Sequence, residues 1–230
     1  MKRLILILNG KGGVGKSFFA VNLIQFFKDQ HIAHFVFDSD NENSTLKRFH
    51  PEAGFIDLSI PRDLDRILEA LENHALVVVD CRAASTDLFL DYFREIRLSE
   101  VLKTLQASLT LIIPINHEPD SLDQVQRLSD DLGSGAQYLI VRNAAHSESF
   151  ALYETSVVKT HILGSLEGRD ISMSRMPDWL VEALNRENAT PTTAKSHPAF
   201  SLLDRQRLQS WQRRLYDQLE TVKSLLLPTP

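Results

Sequence analysis

The segment Gly10-Lys11-Gly12-Gly13-Val14-Gly15-Lys16-Ser17 constrains this 230-residue chain more than any other. It follows the short apolar run 4–8 and opens an amphipathic stretch over 17–30. It therefore satisfies G-x-x-x-x-G-K-[ST] in the strand–loop–helix context that the pattern requires. Gly12, Gly13 and Gly15 let the backbone wrap closely around phosphate groups and turn its N–H groups inward. The start of the following helix adds its positive dipole end. Lys16 supplies a charge for the β- and γ-phosphates, and the Ser17 hydroxyl is placed to ligate Mg2+. A nucleoside triphosphate is the expected ligand, with contacts running from Lys11 through Ser17 to Phe18.

Short apolar runs at 4–8, 34–37, 55–60, 76–79, 109–113 and 138–141 read as strands covered on both faces, as in a parallel sheet. Helical patterns lie between or after them at 17–30, 63–73, 87–96, 120–132 and 177–188. The alternation predicts an α/β fold: a three-layer P-loop NTPase architecture with a mostly parallel central sheet flanked by helices. No linker or repeat divides the chain, so 1–230 is expected to be a single domain. Its last element is a C-terminal amphipathic helix over 201–226, with Leu208, Trp211, Leu215, Leu219, Val222 and Leu226 on one stripe.

In an open parallel sheet ligands bind beyond the carboxyl ends of the strands. Asp38 and Asp40 follow the second run and Asp80 follows the fourth, so three carboxylates are expected at the edge that carries the glycine-rich loop. Asp80 is the natural Mg2+ aspartate, with Ser17 and Asp38 as the other candidate metal-binding groups.

Composition narrows the setting. A single cysteine, Cys81, allows no intrachain disulfide, zinc site or iron–sulfur cluster, which points to a cytoplasmic protein. Met1-Lys2-Arg3 before an apolar run imitates a signal peptide, but the run ends after five residues. No stretch approaches the roughly 20 apolar residues that span a bilayer, so a membrane partner is not expected. The net charge of −5 argues against a constitutive DNA coat and leaves direct nucleic-acid contact only weakly supported.

The extra lysine, Lys11, gives Lys11-Gly12-Gly13-Val14-Gly15-Lys16-Ser17 a resemblance to the deviant Walker A motif of the ParA/MinD ATPases. That resemblance implies an ATP/ADP- and Mg2+-dependent switch that forms a homodimer around ATP, Lys11 reaching the nucleotide of the opposite subunit. It makes Lys11, Lys16 and Asp40 the catalytic residues, Asp40 orienting the attacking water as the second aspartate of Asp38-Ser39-Asp40. It gives Asn143 the adenine, whereas local chemistry alone reads Asn143 equally well as a turn residue. Asp38-Ser39-Asp40-Asn41-Glu42-Asn43 lacks the Pro-Gln that many partition ATPases carry, and Cys81-Arg82-Ala83-Ala84-Ser85-Thr86 follows Asp80. These segments are similar to the plasmid-encoded TraL/StbB branch. They imply a role in plasmid stability, positioning or conjugative transfer, and a plasmid DNA-binding adaptor or transfer protein as partner. Arg82 is open to a phosphate, a carboxylate or a partner. Two other classes remain at this point: a dethiobiotin-synthetase-like ligase acting on a small substrate, and a weakly hydrolysing nucleotide-binding adaptor.

Overall fold

The computed structural model describes residues 1–41 and 43–229; Glu42, in the segment quoted above, lies outside them. Seven strands form one sheet: β1 (Lys2–Ile7), β2 (Phe35–Asp38), β3 (Gly54–Phe55), β4 (Leu76–Asp80), β5 (Ala107–Ile115), β6 (Gln137–Asn143) and β7 (Arg169–Met173). Their order is β3-β2-β4-β1-β5-β6-β7, and every pairing is parallel. The helices are α1 (Lys16–Asp29), α2 (Thr45–Phe49), α3 (Pro61–Asn73), α4 (Thr86–Glu95), α5 (Leu98–Leu105), α6 (Pro119–Leu132), α7 (Ala151–Glu154), α8 (Val157–Thr160), α9 (Asp178–Glu187), α10 (Leu202–Thr221) and α11 (Lys223–Leu226).

Successive side chains of a strand point to opposite faces, and β1 shows the result. Ile5 and Ile7 enter a core built with α1, α9, α10 and α11, whereas Leu4 and Leu6 enter a second core with α3, α4, α5 and α6. Both faces are therefore dry, which is why the strands read as unbroken apolar runs rather than alternating ones. The expected three-layer parallel fold is the one observed.

The elements differ from the sequence reading at several places, among them the short helices α2, α7 and α8, which it did not contain. The run 55–60 supplies only Phe55 of the two-residue β3; Ile60 N–H then closes a turn on the Asp57 carbonyl at 3.0 Å, and Pro61 opens α3. Strand β7, RDISM, was not foreseen, because it is an edge strand with only Ile171 and Met173 buried. Nor was α5, whose buried Leu98 and Leu102 sit one turn apart.

The helix expected over 201–226 is two helices, interrupted at Val222 with φ −116° and ψ 17°. A buried arginine explains the break. The Arg3 guanidinium, 1% exposed, donates to the Ser224 carbonyl at 2.9 Å, the Leu227 carbonyl at 3.1 Å and Thr110 Oγ1 at 3.1 Å. Thr110 Oγ1 in turn donates to the Leu225 carbonyl at 2.7 Å. The last carbonyls of the chain thus face inward onto a cation instead of continuing a helical ladder. Ser201 starts α10 with a reciprocal capping box to Asp204, and the predicted apolar stripe is buried from Leu208 to Leu226. Among the described residues no helix is long and apolar enough to cross a membrane.

Candidate functional site

The loop between β1 and α1 lies at the carboxyl edge of the sheet, beside the ends of β4 and β6. Two of its glycines are required by geometry. Gly15 caps α1 at φ +94°, and a Cβ there would lie 2.3 Å from Asn143 Nδ2. Gly13, at φ +75°, is the other, whereas a Cβ on Gly10 would press mainly on the tip of the Gln124 side chain, 2.4 Å from Oε1. The loop is fastened from below by Asn9, fully buried, whose side chain accepts from Lys11 N–H at 2.9 Å and donates to the Pro114 carbonyl at 2.9 Å.

Lys16 is 7% exposed and lies along the loop, Nζ donating to the Lys11 carbonyl at 2.9 Å. Burial pulls its pKa down, against the opposing pull of Asp80. Lys11 turns the other way, toward the start of α6, where Nζ lies 3.0 Å from Asp120 Oδ2 and 3.2 Å from Glu118 Oε2. Those contacts raise the Lys11 pKa, the Asp120 hydrogen bond first.

At the end of β4, Asp80 is 1% exposed and neither carboxylate oxygen has a hydrogen-bond partner among the described residues. Burial pushes its pKa up to about 7, opposed by the Ser17 hydroxyl and the Lys16 charge. Asp38 is its register neighbour on β2 but is engaged locally: Oδ1 accepts Asp40 N–H at 2.9 Å and Oδ2 accepts Lys47 N–H at 3.0 Å. Burial nevertheless raises the Asp38 pKa. The Asp40 carboxylate is half-buried and accepts Asn43 N–H at 3.2 Å and Asn43 Nδ2 at 3.1 Å. Ser39 joins the two strand-end loops, its hydroxyl donating to the Asp80 carbonyl at 2.9 Å and accepting Arg82 N–H at 2.9 Å.

The structure thus gathers Lys16, Ser17 and Asp80 at one point, sets Asp38 beside them in a loop-organising role, and leaves Asp40 and Lys11 on the rim. Among the described residues no group of three His, Cys, Asp or Glu side chains could hold a metal unaided. That donor set suits Mg2+, which keeps several waters and takes one or two protein oxygens together with substrate phosphates. Asp80, buried with both oxygens unpartnered, and the Ser17 hydroxyl fit such an ion.

On the far side of the loop a cavity of about 430 Å³ is lined by Phe18, Asn143, Ala145, Ser174, Met176 and Asp178 among others. Asn143 crosses its floor, Nδ2 donating to the Val14 carbonyl at 2.9 Å and Oδ1 accepting Ala145 N–H at 3.1 Å. Sequence reasoning missed Ser174, Met176 and Asp178 because they follow β7, the strand it did not find. The signal was present in Trp211, read only as core: its indole N–H donates to the Ser174 carbonyl at 2.7 Å, and its ring meets Phe18 edge-on at 5.6 Å. Cys81 is buried, and burial raises its pKa, so it is not a reactive thiolate.

The sequence profile of the CobQ/CobB/MinD/ParA nucleotide binding domain matches residues 5–223. Protein MobD of Acidithiobacillus ferrooxidans is 22% identical over 228 residues, spanning 96% of this chain and 98% of that protein. Among solved structures, the MinD cell division protein of Aquifex aeolicus superposes with a TM-score of 0.55 at 15% identity, covering 94% of this chain and 97% of its own. The septum site-determining protein MinD from Pyrococcus horikoshii OT3, complexed with Mg-ADP, gives 0.54 at 16% identity, covering 97% and 99%. At these identities the superpositions show a shared fold.

Proposed function

The chain belongs to the CobQ/CobB/MinD/ParA nucleotide-binding family, and on that premise we propose that it is a cytoplasmic Mg2+-dependent ATPase working as a switch that dimerises around ATP. The observation that carries this reading is the Asp80 carboxylate. It is buried beside Lys16 with both oxygens unpartnered, a cost of several kcal/mol that a bound cation removes. Mg2+, held by Asp80 and the Ser17 hydroxyl, would offset the charge of the phosphates.

The chain's own residues divide the remaining work. Lys16 exchanges the Lys11 carbonyl for the phosphates. Asp40, half-buried just beyond β2, orients the attacking water. Lys11 leaves Glu118 and Asp120 to reach the nucleotide of a second subunit, which gives ATP the differential affinity for the dimer that switching requires. Asn143 and the loop after β7 border the cavity that takes the base. The likeness of the segments after Asp38 and Asp80 to the TraL/StbB branch supports a role in plasmid stability, positioning or transfer, with a plasmid DNA-binding adaptor or transfer protein as the partner.

Light scattering on the Asp40→Ala protein, with Mg-ADP and with Mg-ATP, tests the switch. Dimers specific to ATP that disappear when Lys11→Ala is added are the expected result. A monomer in both states, despite tight ATP binding, would overturn it.

A further inference from the structure

Arg82 is the side chain of the loop after β4 that the switch leaves without a task. Its main chain is fixed on both sides: the N–H donates to Ser39 Oγ at 2.9 Å, and the carbonyl accepts the Ser85 hydroxyl at 2.8 Å. The same loop leans back on the phosphate loop. Ala84 N–H donates to the Gly10 carbonyl at 3.0 Å, and the Ala83 methyl lies 3.8 Å from where a Gly12 Cβ would stand. Ala84 reaches this position at φ +55°, a left-handed conformation that is strained for a non-glycine residue. Arg82 therefore occupies the vertex of a strained turn whose two ends are Asp80 and the glycine-rich loop.

The guanidinium is half-buried, and among the described residues it makes no hydrogen bond and no ion pair within 4.0 Å. The nearest opposing charge it influences is Asp57, whose carboxylate already accepts the Ser59 N–H at 2.9 Å and the Ser59 hydroxyl at 2.6 Å. A rigid main chain thus holds, in the turn that links Asp80 to the glycine-rich loop, a guanidinium with no hydrogen bond or close ion pair among the described residues and only the Asp57 charge within its influence.

We propose that Arg82 is a catalytic residue of phosphoryl transfer, its guanidinium closing on the γ-phosphoryl oxygens of the nucleotide held by its own phosphate loop. The inference rests on the nucleotide reading above. As the water oxygen bonds to phosphorus, the bond from phosphorus to the bridging oxygen breaks and ADP leaves with that electron pair. The water's proton passes to Asp40 and on to solvent. Arg82 keeps its protons throughout and forms only hydrogen bonds, for which its planar fork of donors and permanent charge are suited.

The test compares wild type, Arg82→Ala and Arg82→Lys by calorimetric titration with Mg-ADP, with Mg-ADP plus aluminium fluoride, and with the slowly hydrolysed γ-thio analogue of ATP, followed by single-turnover hydrolysis. Mg-ADP binds all three proteins alike, since it carries no γ-phosphate. Affinity for the aluminium fluoride complex falls at least about 30-fold in Arg82→Ala, and turnover falls on the order of 10³-fold, as for other arginines at such a position. Arg82→Lys recovers part of both. Unchanged affinity for the two γ-bearing ligands together with turnover within about twofold of wild type would overturn the proposal. Wild type that fails to bind Mg-ADP would instead overturn the nucleotide reading itself.

Discussion

Asp80 and His50 are two buried titratable groups with opposite effects on stability. Asp80 has a pKa raised to about 7, so between its ordinary value and 7 the folded protein holds a proton that the unfolded chain has lost. Stability from this group is greatest at low pH and falls as pH rises, by up to roughly 4 kcal/mol. His50 is 1% exposed, its Nε2–H donating to the Val21 carbonyl at 2.9 Å and its Nδ1 accepting from Lys28 Nζ at 2.8 Å. Burial lowers its pKa to about 4. The unfolded chain therefore takes up the proton first as pH falls below 6.5, and stability is lost by roughly 3 kcal/mol. Between about pH 4 and 6.5 the two trends oppose each other. Urea unfolding of ligand-free Asp80→Asn should accordingly expose the His50 trend: the variant loses stability on acidification relative to wild type, and it exceeds wild type above pH 7. Equal pH dependence in both proteins would show that Asp80 is not buried as a carboxylate.

Elements built on continuous apolar runs were legible because both faces of the sheet are covered, as Leu76 to Asp80, buried at every position, illustrates. What escaped was set by tertiary contacts. Strand β7 carries Arg169 and Asp170 in five residues and is a strand because β6 offers its edge. The last helix breaks because Arg3, 224 residues away in sequence from Leu227, claims its carbonyls. The candidate site divides in the same way. The phosphate loop and Asp80 carry their chemistry in local spacing, whereas the cavity lining follows an unrecognised strand and is held by Trp211 through Ser174. Trp211→Phe keeps an aromatic ring but removes that hydrogen bond, worth about 0.5–1.5 kcal/mol, and leaves a cavity where the rest of the buried indole stood. Nucleotide affinity should fall by about 3- to 10-fold and the melting temperature should fall as well, because buried apolar surface is lost; calorimetry on the variant measures both. An affinity equal to wild type would mean that the loop after β7 does not hold the base.

At the scale of the whole molecule, the proposed ATP-dependent association requires Lys11 to leave its contacts with Glu118 and Asp120 at the start of α6. The pair with Glu118 and Asp120 is exposed and therefore weak, and weaker still in salt. Glu118→Gln combined with Asp120→Asn should lower the protein concentration needed for ATP-dependent dimers by about 2- to 10-fold at low salt, with the gain fading near 1 M. Light scattering across a concentration series decides it, and unchanged midpoints would show that Lys11 is not restrained by this contact.

Opposite that face, Met1 and Thr229 bond to each other through their main chains, the Thr229 N–H reaching the Met1 carbonyl at 3.1 Å, and Arg3 clamps the tail just behind them. Because β1 runs from this edge toward the phosphate loop, anything joined before Met1 or after Thr229 leaves the fold from the rear. A fluorescent reporter or a cargo module attached at either end would trail behind the fold like freight behind a coupling, leaving the phosphate-loop edge, through which the proposed dimer would form, clear.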